Sequence, residues 1–185
     1  NFEAAKTSYS VRIRTTDSGN TSVEKSFTIT VTDANDAGDL ILSDIDSVRD
    51  KQNTSAGVVV GSFSTTDPDE ADRGFGSDDH VVSIEGGDAS AFSLDGTNIK
   101  FNAGVLDVSA KSSYSTTLRL VDGPNTIEKL VTVDVLSLQQ QIDNAESGDT
   151  LTLIPGVYNF SLSIVEKDLT IHGDGVTIYG TSPAL

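Results

Sequence analysis

The chain lacks several features on which common protein chemistries depend. Its 185 residues include no cysteine and no tryptophan. Without cysteine it has no disulfide framework, no thiolate zinc site and no cysteine nucleophile. No run approaches the roughly 18 to 20 apolar residues of a membrane-spanning helix, and the first residues lack the basic and apolar regions of a secretory leader. We therefore expect no transmembrane segment within these residues.

Basic residues are also few. Lysine and arginine total 12 against 28 aspartates and glutamates, which gives a formal net charge of −16. Binding to phosphate groups needs clustered lysine and arginine, so this composition argues against nucleic acid and anionic lipid as partners. Cations are the natural partners of such a surface. The function therefore depends on where the acidic residues gather.

Comparison of the chain with itself reveals an internal repeat. Residues 1–17 resemble residues 106–122, and residues 24–31 resemble residues 128–135. The first match shares Ala5, Lys6, Ser8, Tyr9, Ser10, Arg14 and Asp17 with the residues 105 positions later. We interpret residues 37–136 as one complete module and residues 1–36 as the C-terminal part of another, whose beginning lies upstream.

Short β-rich runs separated by turn residues fill the repeated modules. Ser26–Thr32 alternates apolar and polar side chains, as a half-buried strand does. Tyr9 and Tyr114 occupy the same module position, which predicts that both belong to a core. The further predicted strands are Val58–Phe63, Val81–Ile84, Ala91–Leu94, Ile99–Phe101, Tyr114–Val121 and Leu130–Val135. About seven short strands in about a hundred residues are typical of an all-β protein with Greek-key β-sandwich modules.

The pattern changes at Ser137. Ser137 followed by Gln140 forms a capping box, which predicts a helix with Leu138, Ile142 and Ala145 on its apolar stripe and Gly148 as its stop. Brief apolar strands follow. One helix before short, evenly spaced strands favours the N-terminal cap and first coils of a parallel β-helix in residues 137–185.

Acidic residues gather at the predicted module boundaries. Asp33-Ala34-Asn35-Asp36-Ala37 lies where one module ends and the next begins, and Asp67-Pro68-Asp69 places two carboxylates two residues apart. Glu3 and Asp122 lie near module ends. Calcium takes 6 to 8 oxygen ligands, which flexible loops supply well. We therefore expect a calcium site at the joint between the modules.

These motifs resemble those of cadherin repeats over the first 136 residues. Asn1-Phe2-Glu3 is similar to the Asp-x-Glu motif, with Asn1 in place of aspartate. Residues 33–37 are similar to the Asp-x-Asn-Asp-Asn linker, with Ala37 in place of asparagine, and residues 67–69 match Asp-x-Asp. Asp17 and Asp122 match the aspartate before the last strand. The resemblance implies an extracellular protein whose calcium ligands are Glu3, Asp33, Asn35, Asp36, Asp67, Asp69 and Asp122.

The second module ends without such a set. Val108 stands at the position equivalent to Glu3, and Ser137 stands at the position equivalent to Asp33. The resemblance also implies a glutamate near Val48, where this chain has Arg49 and Asp50 instead. We therefore expect no calcium joint after the second module.

The C-terminal residues resemble the start of right-handed parallel β-helix proteins, a group that includes polysaccharide lyases, pectinesterase-like proteins and adhesins. Leu138–Ile142, Ser147–Leu151 and Pro155–Tyr158 carry this resemblance. Neither His80 nor His172 lies in a recognisable catalytic frame, and the sequence has no nucleophile elbow, Walker loop or His-Glu-x-x-His motif. Whether an enzyme is present is left open, because a lyase-type active site would lie on later coils.

Three functions are consistent with these features. The first is a calcium-stiffened spacer or adhesion segment of a larger secreted or membrane-associated surface protein, whose partner is another cell-surface protein, in homophilic or heterophilic contact, or a polysaccharide. The alternative is an accessory region joined to the start of a secreted carbohydrate-active enzyme of the polysaccharide lyase class. A third hypothesis is that the modules bind carbohydrate themselves.

Overall fold

The computed structural model describes residues 6–32, 35–67, 81–159, 163–164 and 167–180. Within these ranges the regular secondary structure is β-strand, apart from one short α-helix and a single 3-10 turn at Ala89–Ala91. The elements in order are β1 (Ser8–Thr16), β2 (Ser22–Thr30), β3 (Asp39–Leu42), β4 (Val48–Arg49), β5 (Val58–Thr66), β6 (Val81–Glu85), β7 (Phe92–Asp95), β8 (Asn98–Phe101), β9 (Ser113–Asp122), β10 (Asn125–Leu136), α1 (Leu138–Asn144), β11 (Thr150–Thr152), β12 (Gly156–Asn159), β13 (Thr170–His172) and β14 (Val176–Tyr179).

The described parts of residues 39–136 form a sandwich of two four-stranded sheets. One sheet has the order β4-β10-β9-β6 and the other β3-β5-β8-β7, and of these described strand pairs only the short β4–β10 pair is parallel. The alternation of β9 explains the packing, because Thr116, Leu118, Leu120 and Asp122 are buried while the residues between them are partly exposed. The predicted all-β sandwich is confirmed. Strands β3 and β4 were not predicted.

The first two strands pair as a separate antiparallel hairpin. Ser8 lies opposite Thr30 and Thr16 opposite Ser22. The Asp17 carboxylate closes the turn by accepting hydrogen bonds from the backbone N–H groups of Gly19 at 2.9 Å and Thr21 at 2.8 Å. This hairpin repeats the β9–β10 hairpin of the sandwich in sequence and in pairing.

The apolar face of the first hairpin is exposed, which corrects the predicted burial of Tyr9 and of the apolar side of β2. Tyr9 is 41% exposed, Phe27 44% and Ile29 55%. Val131 and Val133, the counterparts of Phe27 and Ile29 in β10, are fully buried under the opposing sheet. Among the described residues no second sheet covers β1 and β2, so the same pattern leaves its apolar side chains accessible.

The helix α1 begins as its sequence predicts. The Ser137 hydroxyl accepts a hydrogen bond from the Gln140 backbone N–H at 3.2 Å, and the Gln140 side chain accepts one from the Ser137 N–H at 2.9 Å. Leu138 and Ile142 are 1% exposed, so the predicted stripe is confirmed. The predicted stop at Gly148 is wrong, because the helix ends at Asn144, where the Lys167 ammonium group donates to the carbonyls of residues 142, 143 and 145.

The strands after the helix form two parallel pairs. β11 pairs with β13 and β12 with β14, with Thr150 opposite Thr170 and Gly156 opposite Val176, so both pairs have the same separation in sequence. Leu138 and Ile142 of the helix share a small core with Leu153 and Tyr158. No helix in the described ranges is long and apolar enough to cross a membrane.

Candidate functional site

Among the predicted calcium ligands that the structure describes, Asp122 is the most buried. Asp122 is the last residue of β9 and is only 1% exposed. Its Oδ2 atom accepts a hydrogen bond from the backbone N–H of Gly38 at 2.7 Å. A buried carboxylate is stable only when strong hydrogen bonds or a cation compensate its charge. Asp122 therefore ties the residues before β3 to the C-terminal end of β9.

Asn35 lies against the same carboxylate. Its side-chain amide donates to Asp122 Oδ2 at 3.4 Å, to the Asp122 carbonyl at 3.5 Å and to the Asp36 carbonyl at 3.2 Å. Gly123 has a positive φ of 52°, and a Cβ atom there would lie 3.2 Å from Asn35 Oδ1. Glycine is therefore needed for both the turn and the close approach of Asn35.

Strand register brings Asp67 to the same end of the sandwich. Asp39 lies opposite Thr66 in the antiparallel β3–β5 pair, so Gly38 and Asp67 are the next residues outward on the two strands. Because Gly38 binds the Asp122 carboxylate, Asp67 and Asp122 both lie close to the linker. Asp67 is half-buried, and Asp36 is exposed in the linker itself.

Four of the seven predicted ligands are thus described, and all four lie at this end: Asn35, Asp36, Asp67 and Asp122. The other three, Glu3, Asp33 and Asp69, lie outside the described residues, as does His80. Within the described part of the chain no group of three or more acidic or histidine side chains is close enough together to hold a metal ion. The described donors are carboxylate and amide oxygens, which match the preference of calcium for oxygen ligands.

A second cluster lies at the opposite end of the sandwich and was not predicted from the sequence. Lys51 places its ammonium nitrogen 3.4 Å from Asp50 Oδ1 and 3.3 Å from Asp107 Oδ1. Asp50 is 4% exposed, and its Oδ1 also accepts a hydrogen bond from the Val108 N–H at 3.0 Å. The sequence signal was the charged run Arg49-Asp50-Lys51, next to the position where the resemblance implies a glutamate, but the pairing with Asp107 depends on the fold.

In this second cluster the positive charge of Lys51 and the negative charges of Asp50 and Asp107 stabilise one another. Partial burial lowers the pKa of Lys51, but the hydrogen bond to Asp107 and the charges of Asp50 and Asp107 outweigh it and leave the pKa above its ordinary 10.5. Hydrogen bonds from Ser109 and the Lys51 ammonium hold the pKa of Asp107 below its ordinary 3.8. The cluster borders a cleft of about 180 Å³ between the sandwich and the residues around Ser137 and Asn159.

Comparisons with known proteins identify the fold. No protein-family model matches the sequence, and no curated protein matches it either. The extracellular cadherin domains 3–6 of protocadherin gamma B2 superpose with a TM-score of 0.55 at 18% identity, over 84% of this chain and 38% of that one. Domains 1–2 of human protocadherin-24 superpose with a TM-score of 0.50 at 19% identity, over 74% of this chain and 69% of that one.

A third structure, domains 1–5 of protocadherin gamma B2, gives a TM-score of 0.50 at 18% identity over 84% of this chain. This chain corresponds to only 31% of that structure and to 38% of domains 3–6, so it spans much less than those proteins. The likeness shows that the sandwich has a cadherin-like fold, as its motifs predicted. These comparisons give no support to the predicted β-helix.

Proposed function

We propose that this chain is part of an extracellular, adhesion-type protein in which calcium stiffens the joint before the second module. The observation that carries the proposal is the buried Asp122 carboxylate, which holds Gly38 and Asn35 against the end of the sandwich. Asp36 and Asp67 lie at the same end. The proposed ligands remain Glu3, Asp33, Asn35, Asp36, Asp67, Asp69 and Asp122.

Calcium would act through charge neutralisation and cross-linking. Carboxylates brought together at one joint repel each other, and a divalent ion bound by oxygen atoms of both modules removes that repulsion. Asp122 and Asn35 contribute before any ion binds, because their hydrogen bonds already fix the linker on the second module. Binding energy then appears as added stability of the joined form. The output is a rigid spacer in place of a flexible tether.

The exposed hairpin supports the proposed domain organisation. Residues 1–36 would be the C-terminal part of a cadherin-like repeat, because β1 and β2 copy a hairpin whose apolar face is buried in the second module. Strands equivalent to β3, β5, β7 and β8, provided by preceding residues of the protein, would cover that face. Residues 37–136 would be the complete repeat.

For residues 137–185 we propose the capping helix and beginning of a β-helix. Support comes from the two parallel strand pairs with equal sequence separation and from α1, whose apolar stripe covers the core beneath them. The same strand pairs are also consistent with the second candidate function, which is an accessory region followed by a secreted polysaccharide lyase-type enzyme. Sequence beyond Leu185 separates the two, because a lyase needs acidic and basic residues grouped on consecutive coils.

The proposed location is extracellular, at the cell surface or secreted, and the proposed partner is another surface protein or a polysaccharide. Calcium affinities of extracellular modules lie at about 10⁻⁴ to 10⁻³ M. Such sites are filled outside cells and empty in the cytosol. The location and the chemistry of the joint therefore agree.

The proposal is tested by calorimetric titration of calcium into the chain after treatment with EDTA. We expect a dissociation constant of about 10⁻⁴ to 10⁻³ M, weakened at least about tenfold by Asp36→Asn with Asp67→Asn. The matched control is Asp134→Asn with Asp174→Asn, which removes two exposed charges away from the joint. An absence of binding, or equal weakening by the control pair, would contradict the proposal.

A further inference from the structure

The backbone at Lys51 adopts a conformation that lysine disfavours. Lys51 has a φ of +66°, in the left-handed region where glycine and asparagine are common. The residue sits in a turn in which the Gln52 N–H binds the Arg49 carbonyl. Glycine would adopt this φ with less strain than lysine. The contacts of the lysine side chain must therefore offset the cost of this backbone conformation.

Those contacts join three separate parts of the chain. The Lys51 ammonium lies between the buried Asp50 carboxylate and Asp107, which belongs to the loop before β9. The methylene stem lies against β12, where a Cβ atom on Gly156 would come within 3.2 Å of Lys51 Cγ. Glycine at 156 thus lets the strand approach the stem closely.

Arg49 provides a second link to the same C-terminal residues. Its guanidinium group donates a hydrogen bond to the Thr152 carbonyl at 3.0 Å. The turn that carries both basic side chains is itself held by the Asp50 N–H, which binds the carbonyl of Leu136 at 3.0 Å, directly before the helix cap. Residues 49–51 therefore fix the sandwich, the loop at 107 and the strands after α1 in one arrangement.

We propose that the Lys51 ammonium is the permanent cation of the joint between the sandwich and residues 138–180, so that this joint keeps its geometry without a metal ion. It balances two carboxylates at the end of the module where the ligands expected for calcium are replaced. The contrast with the first joint rests on the proposed function. The role of Lys51 itself does not, because it depends only on the contacts of residues 49–51.

The test measures hydrogen–deuterium exchange of the amides in residues 150–159 of the full chain in EDTA. Lys51→Met removes the charge and keeps the length, whereas Lys51→Gly removes the charge and also relieves the backbone strain. We expect both to accelerate exchange at least about tenfold, because the Asp50 carboxylate is left buried without its cation. Lys51→Arg keeps the charge and should stay within about threefold of the unmodified chain. Lys129→Met, at an exposed lysine of β10, is the matched control.

Two results would overturn the proposal. One is exchange in Lys51→Gly that is equal to or slower than in the unmodified chain, since a residue needed only for the turn is improved by glycine. The other is a tenfold or greater slowing of exchange in the unmodified chain on adding about 10 mM calcium. That concentration is above the dissociation constants expected for extracellular calcium sites. Asp107→Asn changes a half-exposed partner and should accelerate exchange less than Lys51→Met, which keeps the test available if the stronger variants do not fold. Failure of calcium to bind the first joint leaves these measurements in EDTA unaffected.

Discussion

Replacing Asp122 by alanine tests the contact that organises the candidate site. The substitution removes the acceptor of the Gly38 N–H at 2.7 Å and of the Asn35 amide at 3.4 Å. Gly38 and Asp122 are both buried, so water does not freely replace the lost acceptor. We therefore expect a loss of stability even when no calcium is present.

The magnitude follows from the contacts. A buried hydrogen bond to a charged group contributes about 1.5 to 3 kcal/mol, and an orphaned buried donor costs about 1 to 3 kcal/mol. A loss of about 2 kcal/mol in the free energy of unfolding lowers the midpoint of a hundred-residue domain by about 8 to 16 °C. Asp122→Asn keeps the shape and one oxygen acceptor, so its loss should be smaller.

The assay is thermal unfolding followed by circular dichroism, in EDTA and again with millimolar calcium. Asp134→Ala, an exposed aspartate of β10, is the control and should shift the midpoint little. In calcium the difference between Asp122→Ala and the unmodified chain should widen, because the variant also loses a proposed ligand. If Asp122→Ala and Asp134→Ala shift the midpoint equally in EDTA, the reasoning about this contact is refuted.

Two further predictions concern the second joint and the helix. Ser109 and Lys51 lower the pKa of Asp107 in the folded chain. The ionised Asp107 therefore stabilises the fold at any pH above its pKa in the unfolded chain, and this stabilisation is lost in acid, below about pH 4. Because the pKa of Lys51 is raised, its contribution to stability is complete at every pH below its ordinary pKa of 10.5. The difference in denaturation midpoint between the unmodified chain and Lys51→Met should therefore be constant from about pH 5 to 9 and shrink in acid. A difference that is unchanged at pH 3 would contradict this. Ser137→Ala removes the N-cap of α1 and should cost about 1 kcal/mol in chemical denaturation, whereas Ser93→Ala, at an exposed position of β7, should cost much less.

Local patterns predicted much of the fold because their hydrogen bonds and packing involve near neighbours. The capping box at Ser137 and Gln140 is three residues long, and its geometry is as the sequence predicts. The alternation of β9 and β10 likewise marked the buried face of the sandwich. The helix end was predicted wrongly, because Lys167 meets the helix carbonyls from 22 or more residues away in sequence.

The candidate site was predicted in part for the same reason. Acidic motifs and the internal repeat pointed to Asn35, Asp36, Asp67 and Asp122, and the structure places all four at one end of the sandwich. Which atoms meet was not predictable, since Gly38 and Asp122 are brought together by strand register across 84 residues. Neither the motif nor the repeat assigns a hydrogen bond to Gly38.

By itself, the sequence determined the excluded chemistries, the strand periodicity, the start of the helix and the two copies of one hairpin. Only the tertiary structure decided that one copy is buried and the other exposed, and that Lys51 lies between Asp50 and Asp107. The physical reason is that a side chain's neighbours along the chain set its local conformation. Its burial and its charge partners depend on which distant strands pack against it.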